Sequence, residues 1–223
     1  MKRALLVVGL VVLIDQIVKI WIKLNFRLYE KIEVIQGVLQ IHFIENPGMA
    51  FGWNIPTDWG KLGLSIFRIV AVVVIALYLK KLIKIQVHKG FIVCVALVLA
   101  GALGNIIDSV CYGMLFSAST PGRVAEFLPA AGGYSGFLRG DVVDMIHFCA
   151  KFPDWVPYFG GTGKQIFPPI FNIADSSITI GIIWIIIRQK SYFTSLRSAE
   201  KESQPSNDNE LEVRGANTTD SEA

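Results

Sequence analysis

The stretch Phe171-Asn172-Ile173-Ala174-Asp175-Ser176-Ser177-Ile178-Thr179-Ile180-Gly181-Ile182-Ile183-Trp184-Ile185-Ile186-Ile187 decides the fold. It is apolar enough to enter a bilayer, yet it carries a carboxylate, Asp175, about one turn from its start. An aspartate at the centre of a membrane helix costs about 2.5–3.5 kcal/mol on insertion scales, so one retained there points to function. Each helical residue advances by roughly 100°, which puts Asn172, Asp175, Ser176 and Thr179 on one stripe. The other faces are Ile and Trp surface suited to lipid or neighbouring helices. The expectation is a membrane helix holding a working carboxylate, with the rest of the chain supplying a second one and a frame.

The bulk composition agrees with a membrane setting. The chain has 223 residues, 52% of them hydrophobic and 17% charged, with a mean hydropathy of +0.50. That balance is too apolar for an ordinary soluble domain. The net charge of +3 is modest, and no basic run interleaved with aromatics marks a nucleic-acid partner. Cys94, Cys111 and Cys149 form no CxxC pair, and Cys94 and Cys111, in apolar context, read as small core residues rather than a redox pair. His42, His88 and His147 are scattered, and no HExxH occurs, which disfavours a metal site.

Outward from that stretch, three further apolar runs appear. Ala4–Leu24 follows Lys2-Arg3 without a small-x-small cleavage site, and at about 1.5 Å per residue its length matches a ~30 Å hydrocarbon core. It is expected to be a retained first helix. Asp15 and Lys19, four apart on it, either form a plain helix-end ion pair or serve the site. Leu62–Leu79 is the second span, with Arg68 two turns in, placed to snorkel to the interface or to face the bundle interior. Gly90 to about Tyr112 is the third, and it ends in Gly101-Ala102-Leu103-Gly104-Asn105-Ile106-Ile107-Asp108. Gly101, Asn105 and Asp108 share a face there. The glycines fit a tight helix seam equally well, whereas Asp108 needs a partner.

The intervening segments are polar. Val34–Phe43 alternates with β-branched content, like a short hairpin or curved sheet, and leads into Asn46-Pro47-Gly48, which is turn chemistry in its own right. Gly113–Pro169 is long and rich in Gly, Pro, Ser and aromatics. It contains Asp141 and Asp144, and Phe152–Phe167 reads as an interfacial loop or short amphipathic helix. Positive charge concentrates in Lys2-Arg3, the Lys80–Lys89 loop and Arg188–Lys201, which puts both termini in the cytoplasm. Asn46, Asp108, Asp144 and Asp175 then converge toward the outer face. The expected class is an all-α membrane protein: four transmembrane helices (about 4–24, 62–79, 90–112 and 170–187), a small outer-face β-rich element, and a long loop between helices three and four. A membrane domain over 1–190 and a cytoplasmic disordered tail over 191–223 complete the organisation.

Two carboxylates held close cannot both ionise cheaply, so near neutral pH one is a base and one an acid. That pair suits peptide hydrolysis by activated water. Asp144 and Asp175 are the best pair, and Asp141 substitutes for Asp144 on composition alone. No GxSxG occurs, and Leu138-Arg139-Gly140-Asp141 lacks the first glycine of a GxGD motif. A proton- or ion-coupled membrane transporter is the alternative function, with Asp15, Asp108 and Asp175 as a relay, but it predicts an internal repeat that the chain lacks. A non-catalytic scaffold is a third reading, and it leaves the paired carboxylates unexplained.

Five motifs in order carry a family resemblance: Asp15-Gln16-Ile17-Val18-Lys19, Asn46-Pro47-Gly48-Met49-Ala50-Phe51, Gly101–Asp108, Val142-Val143-Asp144, and Phe171-Asn172-Ile173-Ala174-Asp175. Together they resemble the lipoprotein signal peptidases (signal peptidase II), the aspartyl proteases of the bacterial inner membrane. The resemblance implies that Asp144 and Asp175 are the catalytic dyad. It implies that Asp15, Lys19, Asn46, Gly48, Gly101, Asn105, Asp108, Asn172 and Ala174 support the site or contact substrate. It further implies cleavage of diacylglyceryl-modified prolipoproteins just before the lipidated cysteine, within membrane lipid, with no metal or organic cofactor, and inhibition by globomycin. A monomer is expected. Two stretches depart from the family pattern. Asp108 is followed by Ser109 where the family usually has Arg, and Arg68, Arg123 or Arg139 is expected to supply the cation. Gly113–Gly140 is an insertion, to be read as a lid, an interaction surface or a tolerated loop.

Overall fold

The computed structural model describes residues 2–47, 58–158, 161 and 163–203. Helix α1 (Lys2–Asn25) is apolar nearly all round, and its few polar residues fall on one face. Asp15, Lys19 and Lys23, four apart, are buried, while Leu5, Leu6, Leu10, Leu13, Ile14 and Ile17 are exposed. That is the inverse of a soluble amphipathic helix and suits lipid outside and a polar site inside.

The hairpin β1 (Lys31–Ile35) and β2 (Leu39–Asn46) follows, turning at Gly37, which has φ +69°. Helix α2 (Asp58–Lys84) extends beyond the expected span at both ends. Helix α3 (Lys89–Ile107) is the central helix, packed against α1 and α2. It continues through a π-helical turn, Asp108–Tyr112, into a last turn, α4 (Gly113–Leu115). Such turns locally change the helical register and recur at functional sites.

Strand β3 (Val142–Phe148) lies within the long segment expected as loop, and β4 (Ile170–Phe171) at the start of the stretch expected as the fourth span. The antiparallel sheet order is β1-β2-β3-β4, so the short hairpin expected over Val34–Phe43 is half of a four-stranded sheet. Pairing of β2 with β3 sets Ile44 opposite Asp144 and Asn46 opposite Val142. Pairing of β3 with β4 sets Ile146 opposite Phe171. The chain then enters α5 (Ile173–Ile187), which packs on α3.

Among the described residues three helices, Lys2–Asn25, Trp59–Lys84 and Lys89–Leu115, are long and apolar enough to cross a membrane. The stretch expected as a fourth span over 170–187 is helical only from Ile173, and at 15 residues it is shorter than the others. Its start is displaced because Ile170–Phe171 is drawn into the sheet. A second correction concerns the tail. Residues 189–203 form helix α6 (Gln189–Ser203), docked through Tyr192, which stacks on Phe91 at 5.3 Å, and through a Lys81–Glu200 ion pair. Residues 204–223, the remainder of the expected tail, lie outside the described residues.

Two apolar clusters bracket the polar site. One gathers Leu79, Leu82, Phe91, Leu99 and Tyr192 at the end where α2 meets α3. The other gathers Ile22, Phe26, Phe43, Tyr112, Phe116, Val143 and Met145 beneath the sheet.

Candidate active site

Asn172 is the N-cap of α5, with extended backbone and a fully buried side chain. Its Oδ1 accepts from the backbone N of Asp175 at 2.9 Å, and the Asp175 carboxylate accepts from the backbone N of Asn172 at 3.3 Å. This reciprocal capping box fixes the Asp175 rotamer at the positive end of the helix dipole. The Nδ2 of the same asparagine donates to Asp144 Oδ1 at 2.7 Å. Asp144 arrives on β3 and accepts a second bond, at 3.2 Å, from Asn46 Nδ2 on the paired strand. Asn105 Nδ2 donates to Asp175 Oδ1 at 2.7 Å. One asparagine thus joins two carboxyl groups from different elements.

The environment pushes the two protonation states apart. Burial, then the charge of Asp175, raises the Asp144 carboxyl from 3.8 to about 7, against the hydrogen bonds from Asn46 and Asn172 that favour its ionised form. Near neutral pH the Asp144 carboxyl is therefore available in its protonated form.

Behind this pair lies a saturated ion cluster. Lys19 Nζ reaches Asp15 Oδ2 at 2.9 Å, Asp108 Oδ2 at 2.8 Å and Asn105 Oδ1 at 2.9 Å. An ammonium has three N–H donors, and each has an acceptor here. Asp15 Oδ1 also accepts from the backbone N of Ala174 at 2.9 Å, in the first turn of α5. Asp108 also accepts from the backbone N of Val143 at 3.2 Å, which ties β3 to the helices. The cluster explains the small residues around it. A Cβ on Gly101 would lie 2.2 Å from Ala174 O, and one on Gly104 2.6 Å from Asp15 Oδ2. No side chain fits where α1, α3 and α5 meet.

The expected site residues Asp15, Lys19, Asn46, Gly101, Asn105, Asp108, Asp144, Asn172, Ala174 and Asp175 are therefore brought together. Gly48 lies outside the described residues. Asp141, the substitute for Asp144, is turned to an ion pair with Lys61 at 2.6 Å. The stripe expected along α5 is broken up. Asn172 is outside the helix, Ser176 Oγ returns to Asn172 O and Thr179 Oγ1 to Asp175 O, while Ala174, Ser177 and Gly181 are the buried face.

Of the three arginines considered for the cation beside Asp108, Arg68 is the one recorded at Ser109, its Nη1 donating to Ser109 Oγ at 2.9 Å. Arg123 pairs with Glu126. Sequence reasoning missed Gln16, whose amide donates to Asp108 Oδ1 at 2.9 Å and Gly104 O at 3.1 Å while accepting from Tyr112 Oη at 3.1 Å. Its position one residue after Asp15 was the available signal. It also missed Lys23, buried against Glu45 and Ser119, with its ammonium 4.8 Å from the Tyr134 ring centre. That cluster ties the insertion to α1 and β2. Among the described residues no three His, Cys, Asp or Glu side chains are grouped to hold a metal ion.

Residues 7–190 match the family model described as signal peptidase (SPase) II. A lipoprotein signal peptidase of Porphyromonas gingivalis is 44% identical over 182 residues, which cover 80% of this chain and 78% of that protein. One from Amoebophilus asiaticus is 31% identical over 188 residues, covering 82% and 75%. A solved bacterial membrane enzyme is similar in fold, with a TM-score of 0.54 and 29% identity over 85% of this chain and 93% of that one.

Proposed function

Because the chain belongs to the signal peptidase II family, we propose that it is an aspartyl endopeptidase that removes signal peptides from diacylglyceryl-modified prolipoproteins, cutting just before the lipidated cysteine. The observation that carries the reading is Asn172, which caps α5 and bridges Asp144 to the helix end bearing Asp175. The carboxylate of the pair takes a proton from water, the water attacks the scissile carbonyl, and the carboxylic acid protonates the developing oxyanion. The newly protonated carboxyl then gives its proton to the leaving amine as the C–N bond breaks, the other carboxylate takes the proton of the gem-diol hydroxyl, and the pair returns to its singly protonated state. Asn46, Asn105 and Asn172 hold the two carboxyls in register, and the Asp15–Lys19–Asp108 cluster holds α1, α3 and α5 together beneath them. Gly101 and Ala174 permit the close approach, and Gly48 is assigned to substrate contact.

The protein sits in the bacterial inner membrane with both termini cytoplasmic, because the basic segments flank the helix ends on one side. Helix α5 is the fourth membrane helix of this reading. Its 15 residues extend about 22 Å, short of a ~30 Å hydrocarbon core. Ending at Arg188 on the cytoplasmic side, it begins below the outer surface, with the sheet above it. The dyad is thereby set on the order of 10 Å inside the outer leaflet, at the depth where a lipid-anchored cysteine enters. The unit is a monomer surrounded by membrane lipid, with no nucleic-acid partner and no cofactor. A transporter reading has less support, since the family model covering 7–190 is that of a peptidase.

The test is digestion of a diacylglyceryl lipobox peptide by the purified chain, read by mass spectrometry. A single cut before the lipidated cysteine is expected, blocked by globomycin and absent on the unlipidated peptide. No cleavage of several lipobox sequences would overturn the reading.

A further inference from the structure

The buried carboxyl groups of the site outnumber the cation that touches them. Asp15, Asp108, Asp144 and Asp175 converge, whereas Lys19 is the one cation ion-paired within the cluster among the described residues. Its three donors are taken by Asp15, Asp108 and Asn105, which leaves none for Asp144 or Asp175. With Asp15 and Asp108 ionised, that cluster keeps a net charge of −1, and a singly ionised dyad adds a second negative charge. Two uncompensated charges at membrane depth are costly.

Arg68 answers that charge from a helix that contributes none of the expected site residues. It lies on α2, ten residues after Asp58. Its Nη1 donates to the neutral Ser109 Oγ at 2.9 Å, and that hydroxyl donates onward to Asn105 O at 3.2 Å. The same Asn105 donates through its side chain to Asp175 Oδ1 at 2.7 Å, so the guanidinium is linked to the dyad through Ser109 and Asn105. Among the described residues it forms no ion pair, so it is a partly buried guanidinium that no single carboxylate neutralises. The other charged groups nearby are committed. Lys61, on the same helix, pairs with Asp141, and Asp15 and Lys19 on α1 lie behind Asp108. Tyr112 of the π-helical turn is bonded to Gln16.

We propose that Arg68 is a positioning residue for the dyad: held by Ser109, its guanidinium stabilises the ionised member of the Asp144–Asp175 pair from across α2 and α3. The proposal rests on the peptidase reading, and it makes two demands. The cation must act through charge, and its position must be reachable from residue 109, since the two side chains meet at 2.9 Å.

The experiment uses the full chain in detergent micelles: wild type, Arg68→Gln, Arg68→Ala, and Arg68→Ala combined with Ser109→Arg. Turnover of a lipidated lipobox peptide is followed from pH 5 to 9, and thermal midpoints are recorded over the same range. Arg68→Gln keeps a donor for Ser109 without the charge. Its acid limb is expected to move up by about one pH unit, a loss that approaches tenfold at pH values below the wild-type limb and vanishes above it. In the double variant the guanidinium comes from the π-helical turn that follows α3, and the wild-type limb is expected to return. An unmoved acid limb in Arg68→Gln would overturn the proposal. So would a double variant no better than Arg68→Ala. If wild type does not cleave at all, the peptidase reading fails instead, and the charge role is read from the thermal midpoints. Without Arg68 the shared carboxylate ionises at higher pH, so Arg68→Gln must lose more stability than wild type between pH 5 and 8. Parallel midpoints would then overturn the proposal.

Discussion

Asn172→Ala removes two functions at once, and the structure separates them. The Oδ1 cap on the Asp175 backbone N, 2.9 Å long, is worth about 1 kcal/mol. The Nδ2 donor to Asp144, 2.7 Å long and fully buried, is worth about 1.5–3 kcal/mol when it serves a carboxylate. The alanine variant should therefore lose a few kcal/mol of stability, visible as a lower thermal midpoint in detergent. Its turnover should fall roughly 10- to 100-fold, because misplacing one carboxyl removes stabilisation that acts only at the transition state. Asn172→Asp provides the dissection. Its side-chain oxygen still caps α5, but a third carboxylate now faces Asp144. Its midpoint should fall less than that of Asn172→Ala while its turnover falls at least as far. A folded Asn172→Ala protein with turnover within twofold of wild type would refute the bridging role.

Further outcomes follow from the packing and the protonation of the pair. Gly101→Ala should lower the thermal midpoint by the equivalent of about 1–3 kcal/mol and reduce turnover, because its Cβ would lie 2.2 Å from Ala174 O and push the α5 end bearing Asp175 aside. Gly9→Ala on the exposed face of α1, with nothing within 4 Å, is the control and should leave both unchanged; equal midpoints for the two variants would contradict the seam. Asp144 is protonated more readily in the folded chain, at about 7 against 3.8. The stability this gives is full below about pH 4 and is lost as pH rises through about 7. Asp144→Asn carries no such loss, so its midpoint should gain on wild type between pH 5 and pH 8; a constant difference would contradict the shift.

Much of this site is legible in the sequence because bilayers penalise polarity. Asp15, Asp108 and Asp175 stand out in apolar runs, and few arrangements other than mutual contact satisfy them. Gly101, with spacing that sets it beside Asn105, marks the seam for the same reason. What the sequence conceals depends on pairing between distant segments. Asp144 lies on β3, whose register is set by β2 almost a hundred residues earlier. The run Val142–Phe148, free of Gly and Pro, is a local strand signal, but nothing local names its partner. Asn172 reads as a stripe residue by helical periodicity, yet its side chain caps the helix and so stands outside it. The choice between the interface and the interior for Arg68 waits on Ser109 as a partner on another helix. Helix α6 escapes the composition argument because Tyr192 and Phe193, two aromatics in a polar stretch, find the Phe91 ring.

The measurement that bears most directly on the central claim is turnover of a diacylglyceryl lipobox peptide by wild type, Asp144→Asn and Asp175→Asn, each verified as folded in detergent. Loss of turnover in both folded variants, with wild type cutting before the lipidated cysteine, is the predicted result. Wild-type turnover in either folded variant would contradict the paired-carboxylate mechanism.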